Sequence, residues 1–174
     1  MYKIYADGAC QPNPGECGSG IVVYKDNVVR RLFYGNYQPM ATNNVAELMA
    51  LEYAIVLAIK CINAGETQVE ILTDSQYSMK CLTEWINAWL KNNWKNGKVV
   101  NKELIERMYK LYLPYKDNIL INHVYGHRGI EGNELADRMA VHAIKTKQVA
   151  FLDFGNDVTI PEILLMYPDK FNKK

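Results

Sequence analysis

Polar and apolar positions alternate from Lys3 to Asp7, the period of a strand with one buried and one wet face. Gly20 to Tyr24 and Val28 to Tyr37 carry the same signature on either side of Lys25-Asp26-Asn27, which predicts a hairpin and, with the first segment, three antiparallel strands. At Thr42 the period changes. Leu48, Leu51, Ile55, Ala58 and Ile62 recur every three or four residues, the stripe of a helix that Gly65 is placed to stop. Thr67 to Thr73 is a short β-rich run ending at Asp74, and Ser75 to Trp89 is helical in character, so the two form a β-α unit. Ile119 to Tyr125 predicts a fifth strand. Asn133 to Lys145 predicts a helix with an apolar band of Ala136, Met139 or Ala140, and Ala143 or Ile144.

Length and composition fit one domain with a proper core: 174 residues, 49% hydrophobic and 22% charged. No apolar run approaches the roughly 20 residues that span a bilayer, and no charged-then-apolar leader precedes Tyr2, so a cytoplasmic protein without membrane contact is expected. Cys10, Cys17, Cys61 and Cys81 form no C-x-x-C pair and have no histidine at zinc-site spacing, which predicts reduced structural thiols. A formal net charge of +1 advertises no polyanionic partner. Local chemistry therefore has to carry the functional reading.

Four acids stand in distinctive settings: Asp7 in YADGACQPNPG, Glu47 in TNNVAELMAL, Asp74 in ILTDSQY and Asp137 in GHRGIEGNELADRMA. Asp7 and Asp74 are placed to end strands, Glu47 and Asp137 to lie in the first turns of helices, where side chains can converge at a sheet edge. Carboxylates at close range raise one another's pKa, so such a cluster is partly protonated or neutralised by a hard divalent cation. Taken singly, each has a plainer explanation. Asp74 before Ser75 reads as an N-cap, and Glu47 as a first-turn acid favoured by the helix dipole.

In that order and at those intervals, the four segments resemble type 1 ribonuclease H over roughly residues 1 to 146. The resemblance implies an α/β, ribonuclease H-like fold. Its mixed sheet has five strands in order 3-2-1-4-5, the first three antiparallel, flanked by helices. The implied activity is cutting the RNA strand of an RNA/DNA hybrid to leave a 3′-hydroxyl and a 5′-phosphate. Asp7, Glu47, Asp74 and Asp137 match the family's metal-binding acids, with Asp7 as the bridging ligand, and His127 matches its catalytic-loop histidine. Two Mg²⁺ ions about 4 Å apart would serve the attacking and leaving oxygens, with Mn²⁺ as the alternative. His127 sits in a loop bracketed by Gly126 and Gly132, suited to shuttling a proton or to helping product and metal leave. His123 and His142 read as structural.

By the same resemblance, Asn13, Asn43, Asn44 and Gln76 fall where the family meets the hybrid's minor groove, where amides can recognise 2′-hydroxyls. Thr42 falls beside a DNA-strand phosphate, although it would cap the following helix in any case. Lys91, Lys95, Lys98 and Lys102, with Trp85, Trp89 and Trp94 interleaved, resemble the basic protrusion of bacterial members, in shorter form. The plain alternative is a solvated loop anchored by its tryptophans. Lys91, Trp94, Lys95 and Lys98 are the expected contacts. Residues 147–174 form a C-terminal extension. Thr159 and Glu162 have capping-box spacing, with Pro161 in the first turn, which predicts a helix from Ile160 to Tyr167. Docking on its own core and contact with a partner are its two readings, and the resemblance implies a monomer. Three functions remain to be separated: a hybrid-specific endoribonuclease, a metal-dependent DNA nuclease or strand-transfer domain, and a non-catalytic hybrid-binding module.

Overall fold

A computed structural model describes residues 1–168 of the chain, so the last six residues of the extension lie outside the described part. Strands β1 (Tyr2–Gln11), β2 (Gly15–Lys25) and β3 (Val28–Ala41) form the expected antiparallel meander. Asp26 and Asn27 make the β2–β3 turn with φ of 52° and 65°, the left-handed pair whose twist suits a two-residue hairpin. Strands β4 (Val69–Thr73) and β5 (Ile119–His123) continue the sheet parallel to β1. A short β6 (Leu152–Asp153) pairs with Phe33 and Tyr34, giving the order β5-β4-β1-β2-β3-β6. The expected five-strand order holds, with a sixth strand from the extension added beyond β3.

Two expectations need correcting. Asp7 does not end β1: the apolar alternation stops there, but main-chain pairing continues, with Gly8 opposite Ser19 and Gln11 opposite Glu16. That register also sets Cys10 opposite Cys17, with Cα atoms 4.1 Å apart, and the two form a disulfide. The expectation of four reduced thiols therefore holds only for Cys61 and Cys81. A separation of seven residues is undiagnostic in sequence, because only the strand register brings the two sulfurs together.

Helix α1 (Asn43–Asn63) lies on one face of the sheet, where Leu48, Leu51, Ile55 and Ala58 pack against Ile4, Ile21 and Ile71. Thr42 caps it, its hydroxyl accepting from the Val45 amide at 3.3 Å. Helix α6 (Glu131–Thr146) covers the opposite face with Leu135, Ala136 and Met139 against Val22, Tyr24 and Leu32. Alternate residues of β2 thus serve two cores, as the strand period requires.

The predicted Ser75–Trp89 helix comprises α2 (Gln76–Lys80), a π-helical segment (Cys81–Trp85) and α3 (Ile86–Lys91). Next, α4 (Asn93–Gly97) is a single left-handed turn, with φ between 51° and 80° throughout. Left-handed backbone costs ordinary residues about 1–2 kcal/mol each. Burial of the Trp94 indole and its stacking on Trp89, 5.7 Å between centroids, offset that cost. Helix α5 (Lys102–Tyr112), which the sequence reading leaves unassigned, buries Ile105 and Met108.

The extension is a strap along β3. Asn36 N–H donates to Val149 O at 2.6 Å, Tyr37 N–H to Gln148 O at 2.8 Å and Phe154 N–H to Leu32 O at 2.7 Å. Phe151 stacks on Tyr53, with centroids 3.9 Å apart and planes at 4°. Helix α7 (Ile160–Leu164) has the predicted Thr159–Glu162 capping box and buries Ile163 against the α6 core, but it stops short of the expected end at Tyr167, whose backbone is left-handed with φ of 55°. Among the described residues the extension docks on its own chain. His142, as expected, is structural: it pairs with the Tyr167 hydroxyl at 2.6 Å among Tyr34 and Phe154.

Candidate active site

Asp7 comes from the middle of β1 and Asp74 from the residue after β4, while Glu47 and Asp137 lie beyond the first turns of α1 and α6 that the sequence predicts for them, because both helices begin earlier than the acids require. Carboxylate oxygens of Asp7, Glu47 and Asp74 lie within 4.8 Å of one another. Asp137 lies outside that tight trio but within hydrogen-bonding reach of Asp7. Convergence depends on a close approach of β1 to α1. A Cβ on Gly8 would lie 2.5 Å from the Glu47 main-chain nitrogen and collide with Ala46, so only glycine allows the two elements to meet. The Gly8 amide in turn donates to the Glu47 carboxylate.

Electrostatics mark the cluster as destabilised when it is left to itself. Burial, reinforced by repulsion from Glu47, Asp137 and Asp74, holds the Asp7 carboxyl well above the usual range. Burial likewise pushes Glu47 up to about 8, even with Asp7 and the Gly8 amide bonded to it. Asp137 is raised by burial, and its bond to Asp7 and the nearby His127 and Arg138 counter part of that. Glu47 Oε2 is buried with no hydrogen-bond partner. An orphaned carboxylate oxygen on a residue that shares a 4.8 Å cluster with two other acids belongs to a donor set for a hard cation, so the residues present fit a divalent metal.

His127 is exposed on its loop with φ of 56°, close enough to Asp137 to lower that acid's pKa. His123, read as structural, holds the Asp74 carbonyl through Nε2 at 3.2 Å. The sequence reading passes over Asn133. It is buried, its Nδ2 approaches Asp74 Oδ2 at 3.5 Å and its Oδ1 has no partner. Its place in GNELAD, one helical turn before Asp137, is the signal that could have found it.

Asn13, Thr42, Asn43 and Asn44 line one groove of about 590 Å³, and Asn13 Oδ1 accepts from the Asn43 amide at 3.0 Å. Val100 and Asn101 close the same groove from the basic segment, a neighbourhood invisible in sequence. Gln76 is exposed at the start of α2, two residues from Asp74. Lys91, Lys95 and Lys98 are exposed on the protrusion. Trp94 is a correction: only 6% exposed, it anchors the left-handed turn and does not present its ring to a ligand.

A mixed sheet of this order with four acids gathered beside its central strand defines the class of metal-dependent hydrolases built on the ribonuclease H-like fold. The RNase H family model matches residues 1–145. The ribonuclease H of Syntrophotalea carbinolica is 39% identical over 148 residues, covering 83% of this chain and 91% of the relative. Ribonuclease HI of Rickettsia prowazekii is 36% identical over 146 residues, covering 82% and 90%. Among solved structures, RNase H1 of the halophilic archaeon Halobacterium salinarum superposes with a TM-score of 0.58 at 26% identity, over 83% of this chain and 98% of the other. The PFV RNase H domain gives 0.69 at 26%, over 83% and 94%. The chain belongs to the RNase H family.

Proposed function

We propose that the protein is an endoribonuclease that hydrolyses the RNA strand of RNA/DNA hybrids, leaving 3′-hydroxyl and 5′-phosphate ends. The observation that carries this reading is the trio of buried Asp7 with half-buried Glu47 and Asp74, completed by Asp137 and set one turn of α1 from the groove of amide side chains. Two Mg²⁺ ions, when bound, would supply charge neutralisation at the scissile phosphate and lower the pKa of a water. Asp7, central to the cluster, would hold them together with Glu47, Asp74 and Asp137. Asn13, Asn43, Asn44 and Gln76 recognise the 2′-hydroxyls and base edges that separate RNA from DNA, and Thr42 holds a DNA-strand phosphate. His127, exposed beside Asp137, moves the proton to the departing oxygen.

Residues 1–146 act as the catalytic unit, with residues 147–168 as its strap. Among the described residues no helix is long and apolar enough to cross a membrane. A monomer in the cytoplasm is part of the same reading, and the Cys10–Cys17 disulfide is the feature that instead favours an oxidising setting.

End-labelled hybrid should be cut in Mg²⁺ and spared in chelator, while single-stranded RNA, duplex RNA and duplex DNA stay intact. Cutting of duplex DNA would move the assignment to a DNA nuclease. Hybrid binding without cutting in Mg²⁺ or Mn²⁺ would move it to a binding module. Lys95 and Lys98 should act through phosphate contacts alone. Replacing both by alanine is expected to reduce the slope of log affinity against log salt by roughly two, without changing cleavage-site preference.

A further inference from the structure

We propose that Ser19 and Asn36 are positioning residues for Glu47, and that the C-terminal strap acts on the acid cluster through them. The inference rests on the metal-site reading above and adds a second layer behind it. Gly8 and Ser19 face each other across β1 and β2, and this one rung grips Glu47 twice. From β1, the Gly8 amide donates to the Glu47 carboxylate. From β2, Ser19 Oγ donates to Ala46 O at 2.8 Å, the carbonyl of the peptide that leads into Glu47.

Ser19 is fully buried, and its oxygen is held in turn by Asn36 Nδ2 at 3.1 Å. Asn36 Oδ1 accepts from Gln38 Nε2 at 3.1 Å, and the Asn36 backbone is left-handed, with φ of 57°. Its main-chain N–H is taken by Val149 O of the strap. A continuous line of hydrogen bonds therefore runs from the strap through Asn36 and Ser19 to the peptide before Glu47.

The consequence falls on Glu47 because its Oε2 has no hydrogen-bond partner of its own. The main chain at residues 46 and 47, which carries the Glu47 side chain, is held by Ser19. Groups one step behind a ligand commonly set metal affinity, and their loss costs on the order of tenfold or more. Core stability alone would require only that the Ser19 hydroxyl be satisfied. The positioning role makes the further demand that metal affinity follow the hydrogen-bond line.

Three full-length variants separate the two roles: Ser19→Ala, Ser19→Cys, which keeps a weaker donor of similar size, and Asn36→Gly, which tolerates the left-handed backbone while removing the amide. Titration calorimetry with Mn²⁺, on protein without nucleic acid, should show affinity reduced about tenfold in Ser19→Ala. Asn36→Gly should show a smaller loss in the same direction, and Ser19→Cys should recover part of it. The Mg²⁺ concentration for half-maximal cleavage should rise by the same factors, with KM for hybrid unchanged at saturating metal. Wild-type Mn²⁺ affinity in folded Ser19→Ala would overturn the proposal, and if that variant does not fold, wild-type affinity in Asn36→Gly would do so. A wild-type protein that binds Mn²⁺ more tightly than its variants yet cuts no hybrid would defeat the functional reading and leave this one standing.

Discussion

Asp7→Asn should leave hybrid cleavage lower by roughly 10³-fold or more. Charge neutralisation at a reacting phosphate is worth several kcal/mol, and each 1.36 kcal/mol is a factor of ten in rate, so a loss of about 4 kcal/mol gives that figure. Asp7 is the acid to choose because it is the one most buried and the one in contact with Glu47, Asp137 and Asp74 together. Asparagine keeps its shape and one acceptor oxygen, so the fold should survive. The same substitution should stabilise the metal-free protein. Native Glu47 is pushed from 4.5 up to about 8, so the folded state keeps protons that the unfolded chain has already released. Where the native state binds more protons, stability falls as pH rises. The metal-free protein should therefore lose stability between about pH 4.5 and about pH 8, and divalent metal should restore it most at the upper end. Thermal unfolding from pH 5 to pH 9, with and without chelator, checks this. A flat profile for the wild type, or one as steep for Asp7→Asn, would contradict the cluster's electrostatics.

Gly20→Ala should lower the unfolding midpoint by roughly 10 °C. In β2, Gly20 stands opposite Asp7 and directly under α6, where an added Cβ would collide with Ala136 O, lie 2.5 Å from Ala140 N and lie 2.6 Å from Met139 Cβ. Two of those atoms are backbone, so no side chain can turn aside, and the helix itself must move. Overpacking of this kind costs about 3 kcal/mol or more, and 1 kcal/mol shifts the midpoint of a chain this long by about 2–4 °C. Asp137 follows Ala136 on the displaced helix, so activity per folded molecule should fall as well. A midpoint near the wild-type value would mean that β2 and α6 are less tightly seated than their geometry indicates.

Local chemistry explains what was legible in the sequence. The turn at Asp26-Asn27, the Thr42 cap and the Thr159–Glu162 box are decided by a few neighbouring residues, and each appears in the structure where the pattern put it. The four acids were legible as a set because their settings repeat a family's. What the reading missed is decided by partners distant in sequence. The end of β1 depends on what β2 offers, the Cys10–Cys17 bond on register, and β6, only two residues long, on the edge of β3. Trp94 resembled a ligand contact because exposure cannot be read from a charge-rich neighbourhood, and it proved to be the anchor of a left-handed turn. Helix α5 is a different omission. Leu104, Ile105, Met108, Tyr109 and Tyr112 carry an ordinary helical stripe that could have been read.

The strap also bears on how the chain survives its own synthesis. Strand β3 is 14 residues long, and among the described residues β6 and the main chain around Gln148 and Val149 occupy its outer side. An uncovered strand of that length is a template for pairing with other chains. Its cover lies more than a hundred residues downstream, so at 5–20 residues per second a nascent chain carries a bare edge for roughly ten seconds. Chains interrupted before Gln148 would keep that edge permanently, and should collect in aggregates rather than persist as a smaller soluble enzyme.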